Sequence, residues 1–113
     1  MDHLLEARQA RFGTNQALFR AVNEEVEKLS HEKPVDPASF VCECANPDCG
    51  VQIQLTLGDY EAIRQNPTRF FVLPQHVFPE VEDVVEDRRE YVIVEKFGAG
   101  GSVAVATDIR TTD

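Results

Sequence analysis

The run Phe40-Val41-Cys42-Glu43-Cys44-Ala45-Asn46-Pro47-Asp48-Cys49-Gly50-Val51-Gln52-Ile53-Gln54-Leu55 decides the fold. Phe40, Cys42 and Cys44 alternate with Val41 and Glu43, the period of a strand. Val51, Ile53, Leu55 and Leu57 alternate with Gln52, Gln54 and Thr56 in the same way. Between the two runs, Asn46-Pro47-Asp48 supplies turn chemistry. The stretch therefore predicts a hairpin with all three cysteines of the chain at its tip. Residues two apart on a strand share a side, so Cys42 and Cys44 converge while Glu43 turns away. Cys49 returns across the turn, and Gly50 is expected to let backbone amides approach a thiolate. Three thiolates and one imidazole make the tetrahedral donor set that zinc takes in structural sites. His76, between Pro74 and Pro79, is the natural fourth ligand, with His31 and Asp48 as alternatives. A pair of reduced core cysteines plus a surface thiol is the metal-free alternative.

Outward from the hairpin, residues from about Asp2 to Ser30 read as one long helix. Leu5, Phe12, Phe19 and Val26 recur every seven residues, with Val22 and Leu29 as companions. The second half of that stripe (Phe19, Val22, Val26, Leu29) is expected to pack on a sheet. Gly13 is the weak point, because a mid-helix glycine costs about 1 kcal/mol. A straight helix of this length overhangs a compact domain of this size. Either it bends near Gly13, or Leu5 and Phe12 in its first half face a partner, a second copy of the helix being the most economical one. His3, on the first turn, is expected to be solvated. His31 to Pro37 reads as a linker, since its two prolines stop the helix.

Downstream, Thr56-Leu57-Gly58-Asp59 matches a capping box and predicts a short helix from about Gly58 to Gln65 that buries Tyr60 and Ile63. Phe70 to Leu73, Val81 to Val85 and Tyr91 to Val94 read as strands, the last two flanking the charged turn Glu86 to Arg89. Gly98-Ala99-Gly100-Gly101 reads as a hairpin turn, and Val103 to Ala106 as a last strand or a short helix. Tyr60 and Arg64 share a helical face. With Arg69 they offer an anion or partner contact, unless Tyr60 is core and the arginines pair with Asp59, Glu61 or Glu43.

Eleven basic residues against twenty acidic ones leave a net charge of −9. That balance argues against nucleic acid, whose binding depends on Lys and Arg at phosphates, and suits a basic protein partner. The N-terminus lacks an export signal and no run is long enough to span a membrane, so a cytoplasmic location is expected. Cysteines there stay reduced and clustered ones more often bind metal. Four protein ligands would leave a zinc no open position for water, and neither His-Glu-x-x-His nor a phosphate-cradling glycine loop is present.

Arg11, Asn15 to Asn23, Phe40 to Cys44, Cys49, Leu55 to Leu57, Tyr60 to Arg64, Pro67, Arg69 to Val72 and Pro74-Gln75-His76 together resemble a family of short, uncharacterised actinobacterial proteins, over about residues 8–97. That family typically carries Pro-Gly-His where Gln75 precedes His76 here. The resemblance implies a fold with a zinc site and no particular activity.

The expected architecture is α+β: an amphipathic helix over residues 1–33, then a zinc-binding α+β domain over 38–107 with a small antiparallel sheet, a metal-binding hairpin and one short helix. The expected function is a non-enzymatic protein–protein interaction or regulatory module. The alternative is an enzyme with an anionic-substrate cleft at Tyr60, Arg64 and Arg69, its zinc structural.

Overall fold

The computed structural model describes residues 2–33 and 35–110, with the side chains of Asp2, His3, Leu5 and Glu6 outside the description. The expectations for His3 and Leu5 therefore lie outside the described residues. The fold is α+β. Helix α1 (Asp2–Glu32) is followed by β1 (Ala38–Val41), β2 (Gln52–Leu55), α2 (Leu57–Arg64), β3 (Arg69–Val72), a 3-10 turn at Pro74–His76, β4 (Glu82–Asp87), β5 (Val92–Lys96) and α3 (Gly98–Ala106).

The strands form two antiparallel sheets rather than one. β1 and β2 make the hairpin, with Phe40 opposite Ile53 and Val41 opposite Gln52. The second sheet has the order β3-β5-β4. The two meet at Glu43, whose backbone N–H donates to Phe71 O at 3.0 Å and whose carboxylate accepts from the Phe71 N–H. Between them lies an aromatic core. Phe40 stacks on Tyr60 at 4.5 Å, and Phe71 stands edge-on to both and to Tyr91. Thr56 caps α2 by accepting from the Asp59 N–H at 3.0 Å, one of the two bonds of a capping box.

Helix α1 runs unbroken through Gly13 for 31 residues, about 46 Å at 1.5 Å per residue. It fits because the molecule is 49 Å along its longest axis. The face it buries is not the expected one. Val22 and Leu29 are exposed and Phe19 and Val26 only partly buried, whereas Gln9, Gly13, Gln16, Arg20, Asn23, Glu27 and Ser30 point inward. These seven are spaced alternately four and three apart, so they form one stripe.

Three residues of the stripe, Gln9, Arg20 and Asn23, meet backbone that no strand or helix has satisfied. Asn23 accepts from the Val41 N–H and donates to the Val41 carbonyl, both at 2.8 Å, serving the free edge of β1 as another strand would. Arg20 donates to Pro67 O and Ala104 O at 2.6 and 2.7 Å and lies over the Phe70 ring. Gln9 donates to Glu80 O and accepts from the Ala99 N–H. Gln16 donates to Glu82, which also faces the buried Lys96 ammonium at 3.7 Å. Bonding offsets the burial of most of these groups, although Gln16 Oε1 and Lys96 Nζ are buried without a hydrogen-bond partner among the described residues, the ammonium having only its ion pair with Glu82.

The glycine run 98–101 is not a hairpin turn but the first turn of α3, and residues 102–106 are helical. Its glycines allow close approach to α1. A Cβ on Gly13 would sit 3.1 Å from the Gly100 backbone, and Gly98, at φ +62°, would place one 2.6 Å from Gln9 Oε1.

Candidate metal centre

The hairpin turn and the segment after β3 bring Cys42, Cys44, Cys49 and His76 together, with one donor atom from each lying within 4.8 Å of all the others. Cys42 still belongs to the hairpin ladder, its N–H donating to Val51 O at 2.8 Å. Beyond it the chain leaves the ladder, and Cys49 N–H closes the turn onto Asn46 O at 3.1 Å. Asn46 braces the turn further, its side chain accepting from the Asp48 N–H. His76 arrives at the end of the Pro74–His76 turn, where its own N–H donates to Leu73 O at 2.8 Å.

The separations test the fit. Bonds of about 2.3 Å to sulfur and about 2.0–2.1 Å to nitrogen, at tetrahedral angles, set neighbouring sulfur and nitrogen atoms about 3.5 Å apart. Nδ1 of His76 lies 3.7 Å from Cys42 Sγ and 3.5 Å from Cys49 Sγ. The donor set fits an ion bound tetrahedrally by three sulfurs and one nitrogen, with Nδ1 as the imidazole donor. Cys42 and Cys44 are buried, and Cys49 and His76 half-buried.

The electrostatics point the same way. Three thiols this close cannot all ionise beside one another without a cation. Cys44 is pushed down to about 5, first by the hydrogen bond from Cys42 and then by the Asn46 backbone against the effect of burial. Cys42 is pushed up, first by its hydrogen bond with Cys44 and then by burial, and Cys49 is pushed up chiefly by burial. Backbone groups favour the thiolate form at all three sulfurs: Leu73 N–H donates to Cys42 at 3.3 Å, and the backbone of Asn46 and of Val51 lowers Cys44 and Cys49. The backbone of Val51, just after Gly50, does act on Cys49, as expected, but nothing requires the glycine itself, for its φ is not positive and a Cβ there would meet open space. Asp48 and His31 are not in the cluster.

Glu43 does turn away from the sulfurs, but into the protein. It is fully buried, held by Asn23 Nδ2 at 2.8 Å, and burial raises its carboxyl to about 7. Sequence reasoning missed it, because alternation says which side a residue takes and not what covers that side.

Tyr60, Arg64 and Arg69 do not form one site. Tyr60 and Arg64 are buried. Tyr60 Oη donates to Glu24 at 2.7 Å, and Arg64 holds Asp108 through two nitrogens at 2.6 and 3.3 Å while also reaching Glu24. Arg69 pairs with Glu95 across β3 and β5. The tyrosine is core, as one of the two expectations had it, but the arginines' partners are not Asp59, Glu61 or Glu43.

Compared with protein families, curated proteins and solved structures, the chain matches none. The resemblance to the actinobacterial group draws no support from these comparisons. What stands is the geometry: a cluster of three cysteines and one histidine able to hold a metal ion. Among the described residues no helix is long and apolar enough to cross a membrane.

Proposed function

We propose that this chain is a non-enzymatic protein–protein interaction module, resident in the cytoplasm, whose fold is stapled by one zinc ion on Cys42, Cys44, Cys49 and His76. The convergence of those four donor atoms carries the reading. A zinc ion held there would supply cohesion rather than catalysis, because four protein ligands complete its tetrahedron. It would fasten the hairpin tip to the segment after β3, two parts of the chain already joined by hydrogen bonds between Cys42 to Glu43 and Phe71 to Leu73. The interaction role is supported by large apolar side chains that α1 turns to solvent. An anionic-substrate enzyme has no comparable support, since Tyr60 and Arg64 are buried and committed to Glu24 and Asp108.

Elemental analysis of protein purified without added metal should give one zinc per chain, and Cys49→Ser should lose most of it. Stripping the metal with a strong chelator should lower the melting temperature steeply, because structural zinc contributes on the scale of a domain's whole net stability. Metal content near zero, or a melting curve indifferent to the chelator, would remove the staple from the reading.

A further inference from the structure

The outward face of α1 carries Leu4, Leu18, Val22 and Leu29, exposed to 72, 63, 48 and 61%. At about 100° per residue they fall within one strip about 40° wide, on the side opposite the buried polar stripe. Exposed apolar residues are ordinary singly, but four large ones aligned along a single helix mark a contact face. Two charges accompany it, Arg11 within the strip and Glu25 about 20° beyond its edge. Arg11 stands seven residues before Leu18 and Glu25 seven residues after it. Both are exposed.

We propose that this strip pairs with the same strip of a second copy of the chain, the two α1 helices running antiparallel about a twofold axis near Leu18. The inference rests on the reading of the chain as an interaction module and names the surface and the partner. Charge placement selects the arrangement. Parallel, in-register helices would set Arg11 against Arg11 and Glu25 against Glu25, two like-charge contacts. The antiparallel pair sets each Arg11 beside the partner's Glu25, twice over by symmetry, and Leu18 against the partner's Leu18.

The ends agree. Leu4 lies fourteen residues before Leu18, so it reaches the level of residue 32 of the other copy. There Val26, Leu29, Ser30, Lys33, Val35 and Ala38 line a largely apolar groove of about 380 Å³. Leu4 and this groove lie toward the same flank of the strip, so the partner's Leu4 meets the mouth of the groove. The face is a different one from that of Phe12, which is covered within its own chain by Phe78 at 5.0 Å.

Analytical ultracentrifugation of the full-length zinc-loaded protein, over a micromolar to hundred-micromolar series, tests this. The expected mass is twice 12.7 kDa. Leu18→Glu should raise the dimer dissociation constant about a hundredfold or more, since two copies of the side chain leave the interface. Leu29→Glu is the second variant. Both side chains face solvent, so circular dichroism and zinc content should not change. Arg11→Glu should weaken association by about tenfold, and Arg11→Glu with Glu25→Arg should return it to within about threefold of the parent. A monomer throughout the series, a dimer indifferent to Leu18→Glu, or a double swap that restores nothing would overturn the proposal. So would a monomer that floats with anionic phospholipid vesicles, which would assign the face to a lipid surface. Zinc measured on the same samples keeps the two readings apart: a zinc-loaded monomer refutes the pairing alone.

Discussion

Arg110 faces three carboxylates at once, with Glu24 at 2.5 Å, Glu61 at 2.6 Å and Glu27 at 2.8 Å. One guanidinium cannot neutralise all three. Glu61 is held down, first by its hydrogen bond to Arg110, and Glu27 is left to keep a proton, its carboxyl pushed up to about 7 by burial and then by Glu61. The sign follows from the direction. The folded chain holds a proton on Glu27 that the unfolded chain gives up near pH 4.3. Stability from this group is therefore complete below that value and declines as the pH rises to about 7, by up to one proton of slope. Glu27→Gln keeps an oxygen for Arg110 and removes the titration, so urea unfolding at about pH 5 and about pH 8 should show a smaller loss in the variant. Equal losses would mean that Glu27 is ionised throughout. Pairings of this kind were not legible in the sequence. Arg64 finds Glu24 and Asp108, 40 and 44 residues away, and nothing local distinguishes them from Asp59 or Glu61. The convergence of Cys42, Cys44 and Cys49 was legible from their spacing around one turn, although β1 ends at Val41 and only Cys42 keeps a ladder bond, so strand alternation is not what places Cys44. His76 needed only the rigid segment that carries it.

At the scale of elements, α1 was legible as a helix and misread as to face. Its apolar heptad is genuine, but an equally regular heptad of polar and small residues, Gln9 to Ser30, is the one that packs. Hydropathy alone cannot separate them, since what decides is the unpaired backbone of β1, α3 and the loop before β3 that those side chains serve. Gly13 likewise read as a weak point and is a point of contact. Gly13→Ala gains about 1 kcal/mol of helix propensity, yet its Cβ would lie 3.1 Å from two backbone atoms of Gly100 and 3.2 Å from Val103 Cβ. Overpacking of that kind costs about 1–3 kcal/mol, so the net effect should be a loss of roughly 1 kcal/mol. Thr14→Ala, on the exposed side, should be neutral or mildly stabilising by the same helix-propensity argument. Thermal melts of the two variants decide this, and a Gly13→Ala protein more stable than the parent would show that α3 yields freely.

For the whole molecule, the α+β class was legible from the change of hydrophobic period after Pro37, but the split into two sheets was not. The order β3-β5-β4 and the junction at Glu43 are long-range choices that strand propensity does not encode. The first turns of α1 belong to this body through Gln9, Phe12 and Gly13. Deleting residues 1–13 should therefore lower the melting temperature by roughly 10 °C, the loss of two or more kcal/mol in a domain of about a hundred residues. An unchanged melting temperature would make that segment an appendage. The polar seam under α1 also governs how the helix responds to temperature. Separating a greasy helix from its domain exposes hydrocarbon and raises the heat capacity, whereas exposing polar surface lowers it. Undocking of α1 should thus show little heat-capacity change for its length. Its attachment should then persist on cooling, where apolar contacts weaken, and decline nearly linearly on warming.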